Sequence, residues 1–210
     1  METKEIRAFN FEIRANDDEE KGKFIEGRAI VFDEATDLGW YNEKIDRGAL
    51  QDTDLKDVRL LVNHNTDMIP LARSRNNNEN STLQLAVDEE GMRIRANLDT
   101  ENNADARSLY SATERGDISG MSFMFTVGAD KWDDIDTDHP TRTILSLRKV
   151  FEVSAVTFPA YEQTSLEARG LADALESAKA SLESARAEAR AEEAKINAQK
   201  QKIRILTEVL

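Results

Sequence analysis

The chain of 210 residues contains no cysteine, which removes disulfides, thiolate metal sites and a cysteine nucleophile from consideration. Any nucleophile must be a hydroxyl, an amine or a carboxylate. Histidine is scarce as well: only His64 and His139 are present, so a reaction that needs an imidazole has two candidates. No run approaches the ~20 apolar residues of a membrane-spanning helix. The first twenty residues, METKEIRAFNFEIRANDDEE, are charged throughout and lack the apolar centre of a secretion signal, so a soluble intracellular protein is expected. Excess positive charge is also missing. The formal charge of −13 argues against nucleic acid and anionic membranes as partners, since both need clustered cations, and favours a protein or peptide partner. The length suits one domain with a real core plus an appendage.

Glycine and proline disappear altogether after Gly170. Residues 171–210 are rich in Ala, Glu, Lys, Arg, Gln and Leu, all good helix formers. Leu171, Leu175, Ala178, Leu182, Ala185, Ala189, Glu192, Ile196, Gln199, Ile203, Leu206 and Leu210 follow an alternating four-three spacing, the seam of a coiled coil. Its alanine-rich, polar-interrupted middle packs weakly by itself, so a partner helix is expected; a solvated helix, or one folded back on the body, is the alternative. From residue 171 onward seven basic residues balance seven acidic ones, which leaves the whole −13 on the preceding part. The expected division is a body over residues 1–165 and a helical, coiled-coil tail over 166–210.

Within the body, short apolar runs alternate with polar clusters: FIEGRAIVF, VRLLVN, LQLAV, MRIRANL, SFMFTV, RTILSL and FEVSAVTF. Several have period two. Met92, Ile94, Ala96 and Leu98 share one face and Arg93, Arg95 and Asn97 the other, the signature of a half-buried strand. NNADARSLYSATERG has helical composition, an Asn or Asp start and a terminal glycine, which predicts one helix of about 12 residues between strands. DEATDLGW, SRNNNENS and DKWDDIDTDHP read as loops. The fold class is α+β.

Three side chains stand out in this pattern. Ser122 lies in ISGMSFMFTV, where GMSFM has the outline of a G-x-S-x-G elbow. Met124 replaces its second glycine and the next residues read as strand rather than helix, so an α/β-hydrolase is rejected. Alternation puts Ser122 on the face opposite Phe123, Phe125 and Val127, with its hydroxyl towards a groove. His64 comes after the apolar run of VRLLVNHNTDMIPLARS and precedes a polar turn. Glu152 sits inside the apolar VFEVSAVTFPA, where a carboxylate requires a partner or a raised pKa, and it shares a strand face with Ser154. A strand serine or a strand-end histidine is by itself most often structural.

The order of segments says more than any one of them. GRAIVFD, EKIDRGAL, VRLLVNHNTDMIPLARS, a Gly-Met hairpin position, GDISGMSFMF and FEVSAVTFPAY succeed one another between residues 24 and 165. This succession resembles the prohead, or capsid maturation, protease family of tailed bacteriophages, distantly similar to the herpesvirus assembly protease. The resemblance implies a β-barrel-like serine protease body with surrounding helices. It also implies that His64 in NHN is the catalytic histidine, Ser122 in SGMSF the nucleophile and Glu152 in FEVS the third member, where herpesvirus relatives use a second histidine. Met124 and PLAR stand where family members often carry glycine, so the groove walls differ. His139, in an acidic loop before a proline, matches no motif, and Ser119 is disfavoured against Ser122 by parity and motif alike.

By the same resemblance, the substrates are the phage's own major capsid protein precursor and its scaffolding segments. They would be cut inside the immature capsid in the host cytoplasm, with self-cleavage afterwards. No cofactor is called for. In such a triad a neutral imidazole takes the serine proton and passes it to the leaving amine, while the carboxylate fixes the tautomer. Backbone amides are expected to bind the oxyanion, with Arg148 as a side-chain candidate. The tail would pair with scaffolding helices of the capsid protein or with a second copy of the chain. A non-enzymatic internal scaffold with a protease-like body is the alternative from another class, and residue types alone also permit an esterase.

Overall fold

Alternating burial organises the body into strands. The computed structural model describes residues 3–9, 13–19, 22–157 and 165–208. Along the chain it contains β1 (Glu5–Phe9), β2 (Ile13–Asp18), β3 (Gly22–Val31), β4 (Thr36–Asp37), β5 (Asn42–Ile45), β6 (Asp57–Val62), β7 (Ala72–Arg75), β8 (Leu83–Asp88) and β9 (Gly91–Asn97). After these come α1 (Ala104–Glu114), β10 (Gly120–Asp133), β11 (Thr141–Val156) and α2 (Ser165–Glu208). The α+β class expected from the sequence is observed.

The strands form two sheets. One runs β2-β3-β9-β8; the other has seven strands in the order β1-β10-β11-β5-β4, with β6 pairing β11 and β7 pairing β6. This corrects the expected barrel: among the described residues the ladder does not return from β4 to β1, so the large sheet stays open at its edges. Bulges between Met124 and Asp130 bend β10 without closing the sheet. The core lies between the sheets, built from residues such as Ile25, Ile30, Leu60, Leu83, Met92, Phe123, Phe125 and Ile144. Phe123 and Phe125 stack with ring centroids 4.7 Å apart.

Where the sequence has a regular alternation, its reading matches. Met92, Ile94, Ala96 and Leu98 are buried, and Arg93 is exposed. Gly91 has φ 147°, and a Cβ there would lie 1.9 Å from the Ile30 carbonyl oxygen, so only glycine fits the β8–β9 turn against β3. Helix α1 is capped as expected: the Asn103 side chain accepts from the Asp105 and Ala106 amides, and Gly116 takes positive φ just beyond the last turn.

Two expectations change. RTILSL and FEVSAV are parts of one strand of 16 residues, because neither glycine nor proline interrupts them and β10 is long enough to pair with both. For the same reason part of DKWDDIDTDHP continues β10, up to Asp133, instead of belonging to a loop.

Helix α2 departs from the expected coiled coil. Ala174, Ala178 and Leu182 are buried, and the helix packs on β1 and β10. Trp132 Nε1 donates to Ser181 Oγ over 3.0 Å, Ser181 Oγ donates to Asp130 Oδ2 over 2.9 Å, and Arg186 Nε donates to the Ile135 carbonyl over 2.8 Å. The seam positions Ala178 and Leu182 therefore lie on the chain's own body, which offers apolar surface at no cost in association entropy. From residue 187 to 203 every residue is exposed, including Ile196 and Ile203. The side chains of Leu171, Leu206 and Leu210 lie outside the described residues.

Candidate active site

Three neighbouring strands hold the candidate residues at one level of the large sheet. In the antiparallel β10–β11 pair, Ser122 stands opposite Ser154 and Met124 opposite Glu152. In the parallel β11–β6 pair, Ser154 stands opposite Leu61 and Ala155 opposite Val62. Ser122, Glu152 and Ser154 therefore project to one face, with the last two separated by two positions along β11.

His64 reaches that face through backbone geometry. Just after β6, Asn63 and His64 take φ values of 49° and 54°. Asn and His are enriched among the non-glycine residues found in this left-handed region, and two in succession fold the chain back over the strand end. The turn is tied down on both sides. The Asn63 amide donates to the Ala155 carbonyl (3.0 Å), Asn63 Nδ2 donates to Thr157 Oγ1 (3.0 Å), and the Thr157 amide donates to Asn63 Oδ1 (2.9 Å). The His64 amide donates to Ser154 Oγ over 3.1 Å. Such anchoring is what lets a conformation costing about 1 kcal/mol or more persist.

The imidazole then bridges the other two side chains. Nδ1 lies 2.6 Å from Glu152 Oε1, and Nε2 lies 2.6 Å from Ser122 Oγ. Glu152 has a further partner, since Ser154 Oγ donates to its Oε2 over 2.5 Å. All three are buried, with relative exposures of 2% for His64, 0% for Ser122 and 3% for Glu152. A neutral ring with its proton on Nδ1, facing Glu152, presents Nε2 to the serine as one acceptor for the hydroxyl proton. Ser154 adds a second hydrogen bond that fixes the carboxylate plane, so the rotamer of the orienting group is itself held.

The three residues singled out in the sequence are thus brought together by elements far apart in the chain. The others are not. Ser119 and Arg148 are exposed. His139 is exposed in the hairpin loop, with Nε2 3.6 Å from Asp37 Oδ1. Ser122 does not face an open groove as expected, because β1 lies against β10 with Ala8 opposite Ser122, and Ser122 Oγ donates to the Arg7 carbonyl over 2.8 Å.

Sequence reasoning missed this strand and the buried charges that hold it. Arg7 forms a two-point ion pair with Glu43 and donates to Glu5 Oε2 over 2.6 Å. Arg142 Nη1 lies 3.0 Å from both Glu5 Oε2 and Glu43 Oε2, and its Nε is 2.6 Å from Asp130 Oδ2. Burial works against the charge on Arg7, but Glu43 and then Glu5 outweigh it and hold the guanidinium above its ordinary value. Burial, reinforced by Glu43, pushes the neighbouring Tyr41 hydroxyl up to about 12. The available signal was parity: Glu5 and Arg7 fall on one face of a strand, where two charges facing inward require complementary ones.

Residues 9–177 match the caudovirus prohead serine protease family. Over 171 residues, 80% of this chain and 69% of the relative, the sequence is 31% identical to the prohead protease of Enterobacteria phage HK97. No solved structure matches the chain.

Proposed function

Because the chain belongs to the caudovirus prohead serine protease family, we propose that it is a serine endopeptidase that uses Ser122, His64 and Glu152 to cut the phage capsid precursor and its scaffolding segments inside the prohead. The observation that carries this reading is the unbroken chain of short contacts from Glu152 through His64 to Ser122, 2.6 Å at each step.

The chemistry is set by the proton positions. A serine hydroxyl is too weak an acid to attack an amide at neutral pH unaided. His64 Nε2 takes the Ser122 proton as Oγ bonds to the scissile carbonyl carbon, and the resulting imidazolium gives that proton to the leaving amine. Glu152 stabilises the imidazolium from the Nδ1 side and keeps the ring in the tautomer that leaves Nε2 free. Water then repeats the sequence on the acyl-enzyme, with His64 again as base. No step calls for a metal or an organic cofactor. Incubating the purified chain with its own capsid precursor and mapping fragments by mass spectrometry tests the reading. Discrete internal cuts support it, and an intact precursor returns the balance to a non-enzymatic scaffold.

The same reading includes self-cleavage and a location within the immature capsid in the host cell. It gives the exposed part of α2 the task of contact. A helix from residue 187 onward carries Ile196 and Ile203 in solvent, the seam positions that a scaffolding helix of the capsid protein or a second copy would cover. Removing residues 171–210 would strip Ala174, Ala178 and Leu182 from β1 and β10, so the informative cut lies further along. Truncation after Arg186 is expected to leave thermal stability nearly unchanged and peptide hydrolysis intact, while incorporation into assembling shells, measured by co-assembly and gradient sedimentation, falls sharply. Undiminished incorporation would rule the targeting role out.

A further inference from the structure

We propose that the edge of β10 covered by β1 is the binding edge for the substrate peptide, and that β1 is its built-in occupant, an internal strand that keeps Ser122 inactive until it moves. This rests on the reading of Ser122 as the nucleophile. Three observations converge on it.

The first is access. A nucleophile with no exposure cannot meet a protein substrate, and β1, which among the described residues joins the sheet on one side only, pairs directly beside Ser122. An extended peptide adding to a sheet edge gains the same main-chain hydrogen bonds that β1 makes, so removing β1 exposes a ready template for an extended substrate.

The second is register. β1 runs antiparallel to β10 with Ala8 opposite Ser122, and the carbonyl that reaches Ser122 Oγ, 2.8 Å away, belongs to the peptide bond between Arg7 and Ala8. A main-chain carbonyl is what the nucleophile must meet in a substrate. β1 supplies one in an extended strand, as a substrate paired with this edge would.

The third is proton balance. The Ser122 hydroxyl has one proton and two acceptors within reach, His64 Nε2 at 2.6 Å and the Arg7 carbonyl at 2.8 Å. While Oγ donates to the carbonyl, its one proton points away from Nε2, the atom that must take it. Withdrawal of β1 removes the competing acceptor and returns the hydroxyl to Nε2.

The strand is secured as a latch rather than as a loose tail. Glu5 and Arg7 belong to the buried charge cluster with Glu43, Arg142 and Asp130, and α2 packs on β1 and is tied to Asp130 through Ser181.

The absence of cysteine makes a reversible lock possible. Ile6 and Met124 are direct cross-strand partners, and such pairs fall within the Cα separation a disulfide spans. In full-length I6C/M124C, a fluorophosphonate probe should label Ser122 when the pair is reduced, and that rate is the reference for the oxidised form of the same variant. On oxidation labelling should slow at least about tenfold, since the lock removes a minor open state typically populated at roughly 0.1–10%, and reduction should restore it. Equal labelling of both forms would overturn the proposal. Failure to label Ser122 in the reduced form and in the unmodified chain alike would instead overturn the nucleophile assignment beneath it. Should the double variant not fold, hydrogen exchange on the unmodified chain decides: the amides of β1 must exchange faster than those of the β10–β11 ladder, and equal protection rejects the latch.

Discussion

Ser122→Ala is expected to abolish hydrolysis of the capsid precursor while the chain stays folded. Loss of the nucleophile from a working triad lowers turnover by about a millionfold, because nothing else in the site can form the acyl bond. The cost to the fold is small by comparison. Ser122 is fully buried, and alanine leaves His64 Nε2 and the Arg7 carbonyl each without one partner. That amounts to about 1–3 kcal/mol for each group, against the roughly 5–15 kcal/mol typical of a domain. Mass spectrometry of the precursor after incubation, beside a thermal unfolding curve of the variant, separates the two effects. Continued processing by the alanine variant would end the serine protease reading, whereas lost processing with lost folding would make Ser122 merely structural. Ser119→Ala serves as the matched control: this serine is exposed and outside the cluster, and its variant should process normally.

Glu152→Gln is expected to have the second largest effect, a fall in turnover of about ten-thousandfold with the fold preserved. The substitution keeps shape and removes charge. Glu152 accepts from two directions, from His64 at Oε1 and from Ser154 at Oε2. A glutamine has only one oxygen to offer, so its amide nitrogen must face one of them. If it faces Nδ1, the ring shifts its proton to Nε2 and the base is lost; if it faces Ser154, that hydroxyl must rotate and accept. Either way no negative charge is left to stabilise the imidazolium. Steady-state turnover on a peptide taken from a mapped cut site measures this, with His139→Ala expected to be near neutral. An active glutamine variant alongside an inactive His139 variant would show that the third member had been misassigned.

The parts of this protein that could be read from sequence are those whose physics is local. Alternation in MRIRANL places its faces because side-chain direction in a strand depends only on parity. Asn103 and Gly116 mark the ends of α1 because capping needs only nearby amides and a tolerated φ. Ser122, His64 and Glu152 stood out as candidates by another route, through ordered segments resembling a family and a carboxylate that an apolar strand does not bear without a partner. The helical character of residues 165–208 was set by composition, as the lack of later glycine and proline leaves no strong helix breaker after Gly170.

Everything that depended on where distant segments meet was decided by tertiary structure. That β1 pairs with β10 and covers Ser122 cannot be inferred from EIRAF, since the groups that neutralise Glu5 and Arg7 lie at Glu43, Asp130 and Arg142. The open sheet in place of a barrel is likewise a matter of which strand edges find each other. So is the fate of the heptad seam: periodicity specified an apolar stripe, but the body's own surface took Ala178 and Leu182. By itself the sequence determined which faces are apolar and which residues can do chemistry. What each face covers, and whether Ser122 is open or held, required the fold, because burial and hydrogen bonding are properties of contacts between residues up to 137 positions apart.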